Sequence, residues 1–401
     1  MQELVIIGAG YAGLAAFAAA TQAGQSPILI AKDFGGSRFF SGAFDVLDPA
    51  FQLGSFQVSQ TPSTKELLSQ FIRVHPQHLY AKFGAADFDF VNRAKEFCSF
   101  YHLPAVFEDN MIACFGSSGK AKWSAGAMAG QGLRQSELAE IKKVVLVNVS
   151  ALTDYPAGLI AKNLKKQFND VTVLTVDLGA LNATAPLAHV NQLMDAGDLF
   201  EKLCGALAGV AGSNAVIMMP PILGVRSFQK HHQELRERFS AKTLELLSVL
   251  PSISGERAHQ FILKKLAEFP KRFVQQEILS VECADNVFNL KLSDQQIEAK
   301  KVILATGKFV GGGVRREGRF FETLFDLPLI DAQQVPVKGK TMIQLSHARA
   351  EQNQDFMGVG VNWEQSPSAL QPCGHVLGGF DFAREKCGFG ISLISAHKSL
   401  N

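Results

Sequence analysis

The chain opens on an unbroken apolar run, Leu4-Val-Ile-Ile7, followed by Gly8-Ala-Gly10-Tyr-Ala-Gly13 and a stretch of Ala, Leu and Phe reaching Ala23. A short apolar run ending in glycine predicts a buried strand. The longer Ala-rich run predicts a helix from about Tyr11 to Ala23, buried on most sides. Gly24 is placed to cap that helix, and Pro27–Ala31 predicts a second strand. Further along, the pattern predicts a strand over 143–149, a helix over 157–167 and a strand over 171–176. Helical stretches are predicted at about 198–209 and 228–248, with Pro220, Pro221 and Pro251 as punctuation. Alternation from Val281 to Leu292 around Asp285-Asn286 predicts a hairpin-like pair. Lys301–Gly307 predicts a strand running into a glycine, and Gly374 to Ser399 a glycine-rich turn followed by a helix. Residues 51–140 are Phe-rich and polar by turns and give no periodic element. No internal repeat interrupts the pattern.

Composition narrows the classes. A chain of 401 residues is too long for one simple core and predicts two lobes. With 19% charged and 47% hydrophobic residues it is a folded chain, not a disordered one. The net charge of +2 marks no partner class, and no basic stripe points to nucleic acid. The nearest candidate, Lys230–Arg238, interleaves its cations with Glu and reads as a solvated helix face. Six Cys, at 98, 114, 204, 283, 373 and 387, include no CxxC pair. That argues against a zinc or iron–sulfur site and against a disulfide framework, so reduced thiols in the cytoplasm are expected. Leu4–Ile7 is too short for a signal peptide's apolar core, and no apolar stretch reaches the roughly 20 residues of a spanning helix. Membrane contact is therefore expected only peripherally or through a partner.

Three motifs carry chemistry. In the first, Gly8 permits a tight bend, Gly10 lets the backbone approach a pyrophosphate, and Gly13 lets the helix pack closely on the strand. The usual Asp or Glu at the end of the second strand, which binds the adenosine ribose, is replaced by Ala31, with Lys32 and Asp33 following. Asp33 or a backbone group does that work, or the nucleotide half is loosely held, or there is no adenosine. The second motif is the strand ending in Ala305-Thr306-Gly307. Far downstream of a glycine turn it separates flavin folds from simple NAD dehydrogenases. The third is the tail, Gly374-His-Val-Leu-Gly378-Gly379, then Gly388-Phe-Gly390-Ile-Ser392. A helix N-terminus there can present N–H groups to the anionic end of a reduced flavin. The expected fold class is α/β: a Rossmann-like FAD/NAD(P)-binding domain, 1–50 plus 272–401, with an inserted α+β capping region at 51–271.

With these motifs the chain resembles the B-subunit family of anaerobic glycerol-3-phosphate dehydrogenase, part of the wider flavoprotein group that includes the fumarate reductase flavoprotein. The resemblance runs nearly end to end. It is most specific at Ser37–Leu47, Pro251–Arg257, Ala305–Gly313 and Gly374–Gly390, and loose over about 55–210. It implies flavin-dependent oxidation of sn-glycerol 3-phosphate to dihydroxyacetone phosphate, with electrons passed towards a quinone. It implies a larger flavoprotein subunit and an iron–sulfur membrane-anchoring subunit as partners, and a place on the cytoplasmic face of the inner membrane. It also implies FMN, whereas the pyrophosphate-type turn argues for FAD; both stay open. Two other readings remain: a flavin subunit that only relays electrons, and a related flavoprotein with another small substrate.

Individual residues follow from this. Ser41, Gly42 and Asp45 are expected at the flavin, with Thr306, Gly307, Gly378, Gly379, Gly388 and Gly390. Arg257 is a candidate grip for a substrate phosphate. Lys308, with Arg315 and Arg316 around Gly311–Gly313, is a candidate anion site. His375, and less directly His347, could take the hydroxyl proton, which suits a His of near-neutral pKa. Cys373 and Cys387 are expected to be packing residues.

Overall fold

The first strand, Gln2–Ile7, is the middle of a seven-stranded sheet, because its four apolar residues Leu4–Ile7 are covered on both faces. The computed structural model describes residues 1–49, 62–179, 184–197, 199–209, 215–285, 287–331 and 358–401. Ile28–Ile30 pairs parallel with one edge of the first strand and Gln296–Leu304 with the other. Phe273–Val274 then continues the sheet beyond Ile28–Ile30. The strand Gln296–Leu304 has two different neighbours on its far edge. Its first half pairs antiparallel with Val287–Lys291, and Val302–Leu304 pairs parallel with Leu370–Pro372. The helix Tyr11–Gln22 packs on the C-terminal helix Gly388–Leu400.

Everything from 31 to 272 is inserted between the second strand and its parallel neighbour Phe273–Val274. Part of it is an antiparallel sheet of Ala43–Phe44, Ala121–Met128 and Ala105–Phe115. The two long strands fall inside 51–140, where the pattern predicts no element. Their alternation is hidden by the bulge between Phe107 and Ile112 and by Gly126, which makes room for the Phe107 ring.

Another part of the insertion is a parallel sheet, in the order Asp170–Val176, Lys143–Val149, Ala215–Met219, Lys242–Glu245. Helices Ala157–Leu164, Leu187–Ala196, Phe200–Leu207 and Phe228–Phe239 make the crossovers. The helix predicted over 228–248 therefore stops early. Ser240 takes a left-handed backbone and breaks it, and the next residues become a buried edge strand. Among the described residues, no helix is long and apolar enough to cross a membrane.

Candidate functional site

The strands Gln2–Ile7 and Gln296–Leu304 end side by side, with Ile7 opposite Leu304. The loop after each is shaped by glycine. Gly8 has φ +109°, and a Cβ there would lie 2.4 Å from Ala305 O. A Cβ on Gly13 would lie 1.8 Å from Gly8 O, so helix and strand touch backbone to backbone. Gly10 is different: nothing in the chain comes within 4 Å of where its Cβ would stand. Gly10 also begins the helix Tyr11–Gln22 with no side-chain cap and no acidic residue in the first turn. An uncapped 12-residue helix with open space at its first turn offers N–H groups and positive dipole to an anion. Across the gap, Thr306 Oγ1 is buried without a hydrogen-bond partner, and the Gly307 Cβ position meets only Gly311 at 3.9 Å. A pyrophosphate fits this cradle on charge, donors and space.

The other predicted cofactor residues have protein neighbours. Gly42 stands against the Gln131 side chain, and its carbonyl accepts from Met128 N at 2.8 Å. Ser41 O accepts from Ser248 N at 2.9 Å. Asp45 O accepts from Gly390 N at 3.0 Å, while its carboxylate pairs with Lys122 on the inserted antiparallel sheet. Burial pushes the Asp45 carboxyl above its ordinary pKa, against the pull of Lys122. Gly378 lets the tail cross Gly360 closely, and Gly390 makes room for the Tyr80 hydroxyl. Gly379 N donates to Asp331 O at 3.2 Å. Gly388 starts the C-terminal helix, also uncapped, beside the His375 ring. Tyr11 sits edge-on to Phe40, Phe97 and Phe389, at 5.5, 5.9 and 5.5 Å between centroids, which ties the glycine turn to the tail. At the end of the second strand, Ala31 N donates to Val274 O at 3.0 Å, Lys32 Nζ donates to Glu277 Oε1 at 3.1 Å, and Asp33 Oδ1 accepts from Gly35 N.

The candidate catalytic residues are rearranged. Arg257 does not face an open anion site. It is 1% exposed and bonded through both terminal nitrogens to Glu245, also 1% exposed. Its Nε donates to Gly224 O at 2.8 Å, and the guanidinium covers the Phe228 ring at 4.5 Å. The reading of Arg257 as a phosphate grip is therefore corrected: a buried carboxylate already holds the fork. Nor does the structure assemble Lys308 with Arg315 and Arg316. The two arginines are exposed on the hairpin that begins at Val314, whereas Lys308 turns inward and lies 4.6 Å over the Phe380 ring. Burial lowers the Lys308 pKa to about 7, although Cys387, Asp381 and Glu385 nearby pull it back up.

His375 is corrected too. Burial, with Lys308 beside it, lowers its pKa to about 4, not near neutral, and its Nε2 donates to Gly388 O at 3.2 Å. His347 lies outside the described residues. Cys373 and Cys387 are buried thiols raised by burial, Cys373 to about 12, which makes them inert packing residues. Missed by sequence reasoning was Glu385. It accepts from His78 Nε2 at 3.1 Å, Asp381 N at 3.1 Å and Cys387 Sγ at 3.2 Å, and so anchors the tail beside Lys308. His78 is 307 positions away in a stretch without periodicity, so no local signal could pair them.

The two-sided sheet, the open glycine turn and the returning Ala-Thr-Gly strand define a dinucleotide-binding flavoprotein. The family model described as FAD binding domain matches residues 3–268, and the chain belongs to that family. Its cofactor is therefore flavin, with FAD favoured over FMN. Curated relatives span nearly the whole chain. Proteins named as the B subunit of anaerobic glycerol-3-phosphate dehydrogenase, from Yersinia pestis and Haemophilus influenzae, are 22% and 23% identical, covering 98% of this chain and 96% and 97% of theirs. One from Vibrio cholerae is 23% identical, covering 99% of this chain and 95% of its own. Among solved structures, 3-ketosteroid delta1-dehydrogenase from Sterolibacterium denitrificans is 13% identical over 77% of this chain and 48% of that one, with a TM-score of 0.29. Glycine oxidase from Bacillus cereus is 12% identical over 77% and 56%, with a TM-score of 0.26. The chain thus spans about half the length of those structures.

Proposed function

We propose that this chain is the B-type component of an anaerobic glycerol-3-phosphate dehydrogenase, oxidising sn-glycerol 3-phosphate to dihydroxyacetone phosphate. The observation that carries the reading is end-to-end likeness to relatives of that name, over 98% of the chain, around a cradle that suits FAD. Bound FAD would accept the hydride from the alcohol carbon. The chain's own part is to hold the cofactor by the glycine turn, exclude water with the Tyr11, Phe40 and Phe389 cluster, and move the hydroxyl proton. Lys308 suits that last task better than His375, since a base works best with a pKa near the working pH. The electrons would leave through a larger flavoprotein subunit and an iron–sulfur subunit at the cytoplasmic face of the membrane, towards quinone.

The closure of Arg257 on Glu245 favours one alternative, in which the chain relays electrons and a partner binds the phosphate. One experiment separates the two. The purified chain loaded with FAD is mixed with sn-glycerol 3-phosphate without oxygen. Loss of the flavin band near about 450 nm supports direct oxidation. A band that stays until the larger partner is added supports the relay.

A further inference from the structure

The protein lacks the usual carboxylate for an adenosine ribose, because Ala31 directly follows the second strand. Asp33, next but one, is committed to a turn: its Oδ1 accepts from Gly35 N. The neighbouring strand supplies another acid. Phe273–Val274 runs parallel to Ile28–Ile30, with Val274 opposite Ile30, so both strands end on one rim. The same rim carries the glycine turn, since Gly8 N donates to Ile30 O at 2.7 Å. Beyond Val274 the chain turns at once, with Gln276 N donating to Val274 O at 3.1 Å. That turn brings Glu277 back to Lys32, 3.1 Å from Nζ to Oε1.

We propose that Glu277, steered by Lys32, binds the ribose hydroxyls of the FAD adenosine in place of the missing acid at position 31. Ribose hydroxyls need an acceptor, and an ionised carboxylate can take both at once. Lys32 engages only Oε1, and among the described residues no other group donates to Glu277. The side chain is 54% exposed, so it is reachable from the rim. A pair this exposed contributes little to folding, so replacing Glu277 leaves the fold intact. The role would also select FAD over FMN, which has no adenosine.

The test is reconstitution of flavin-free protein, read by quenching of flavin fluorescence, with FAD, FMN and an FAD whose adenosine carries 2′,3′-dideoxyribose. Glu277→Ala should weaken FAD about tenfold to a hundredfold, leave FMN unchanged, and abolish the wild type's preference for FAD over the dideoxy form. Asp33→Asn should change FAD binding by less than about threefold. Unchanged FAD affinity in Glu277→Ala, equal losses for FAD and FMN, or the large loss appearing in Asp33→Asn instead would each overturn the proposal. It rests on FAD as the cofactor. Wild-type protein that bound FMN but not FAD would overturn that premise, a result distinct from a normal wild type with an unaffected variant.

Discussion

Two sheets with parallel strands at their centres are wound from this one chain, and only one of them is open. In the N-terminal sheet, the first strand passes through Gly8 and Gly10 into a helix with free space at its first turn. In the inserted sheet, Lys143–Val149 passes through seven residues into Ala157–Leu164, and that loop is filled. Leu152 and Tyr155 are buried there, and the Tyr155 hydroxyl donates to Leu247 O at 3.2 Å and accepts from Val249 N at 3.3 Å. The neighbouring loop is closed as well, by Arg257 on Gly224 O and by Leu223 N donating to Glu245 Oε1 at 2.9 Å. Crossovers of the same kind thus give a cradle in one place and a sealed edge in the other. The strand–helix architecture offers a site; the loop residues decide whether it stays open.

The largest way to break this contrast is to open the sealed edge. Arg257→Met should cost about 3–5 kcal/mol in urea unfolding, because Glu245 would be left buried and unpaired. Adding Glu245→Met should restore most of it. Flavin affinity should stay within about twofold for both, if the edge is structural. A large selective loss of flavin or substrate binding would return Arg257 to the site.

Closing the open edge is the reverse test. Gly10→Val has room in the protein, so flavin-free stability should change by about 1 kcal/mol or less. Flavin affinity should fall at least about tenfold, because the side chain takes the space beside the helix N-terminus. A folded variant that binds flavin normally would show that the cofactor sits elsewhere.

Lys308 sharpens the comparison, since it places an ionisable amine inside the open lobe. Its pKa is about 7 in the folded chain and near the ordinary lysine value when unfolded. Between these the unfolded state holds more protons, so stability should rise as pH climbs from about 7 towards 10, by up to about 1.4 kcal/mol per unit. Urea midpoints at several pH values should show that rise in the wild type and a flatter line in Lys308→Met. A modest effect is expected at the sealed loop. Tyr155→Phe removes two hydrogen bonds and should cost about 1–2 kcal/mol in the same unfolding assay, with no change in flavin binding.

Much of the open site was legible in the sequence, because its determinants are local. Gly8, Gly10 and Gly13 lie within one turn and are chosen by backbone geometry, and the strand ending in Ala305-Thr306-Gly307 is a continuous apolar run. The sealed sheet was half legible. Lys143–Val149 and Asp170–Val176 stand out in the pattern, but Ala215–Met219 does not, and Lys242–Glu245 is hidden in an expected helix. A five-residue apolar run carries no period that separates strand from buried helix.

What the sequence by itself determined is the class of cradle, because glycine spacing and a buried strand act over neighbouring residues. Only the tertiary structure decided which charges stay available. Arg257 looked like a phosphate grip until Glu245 met it, His375 looked like a base until burial and Lys308 lowered its pKa, and position 31 looked empty until the next strand brought Glu277 to Lys32. Charge and burial depend on residues far apart in the chain, and no local pattern records whom they will meet.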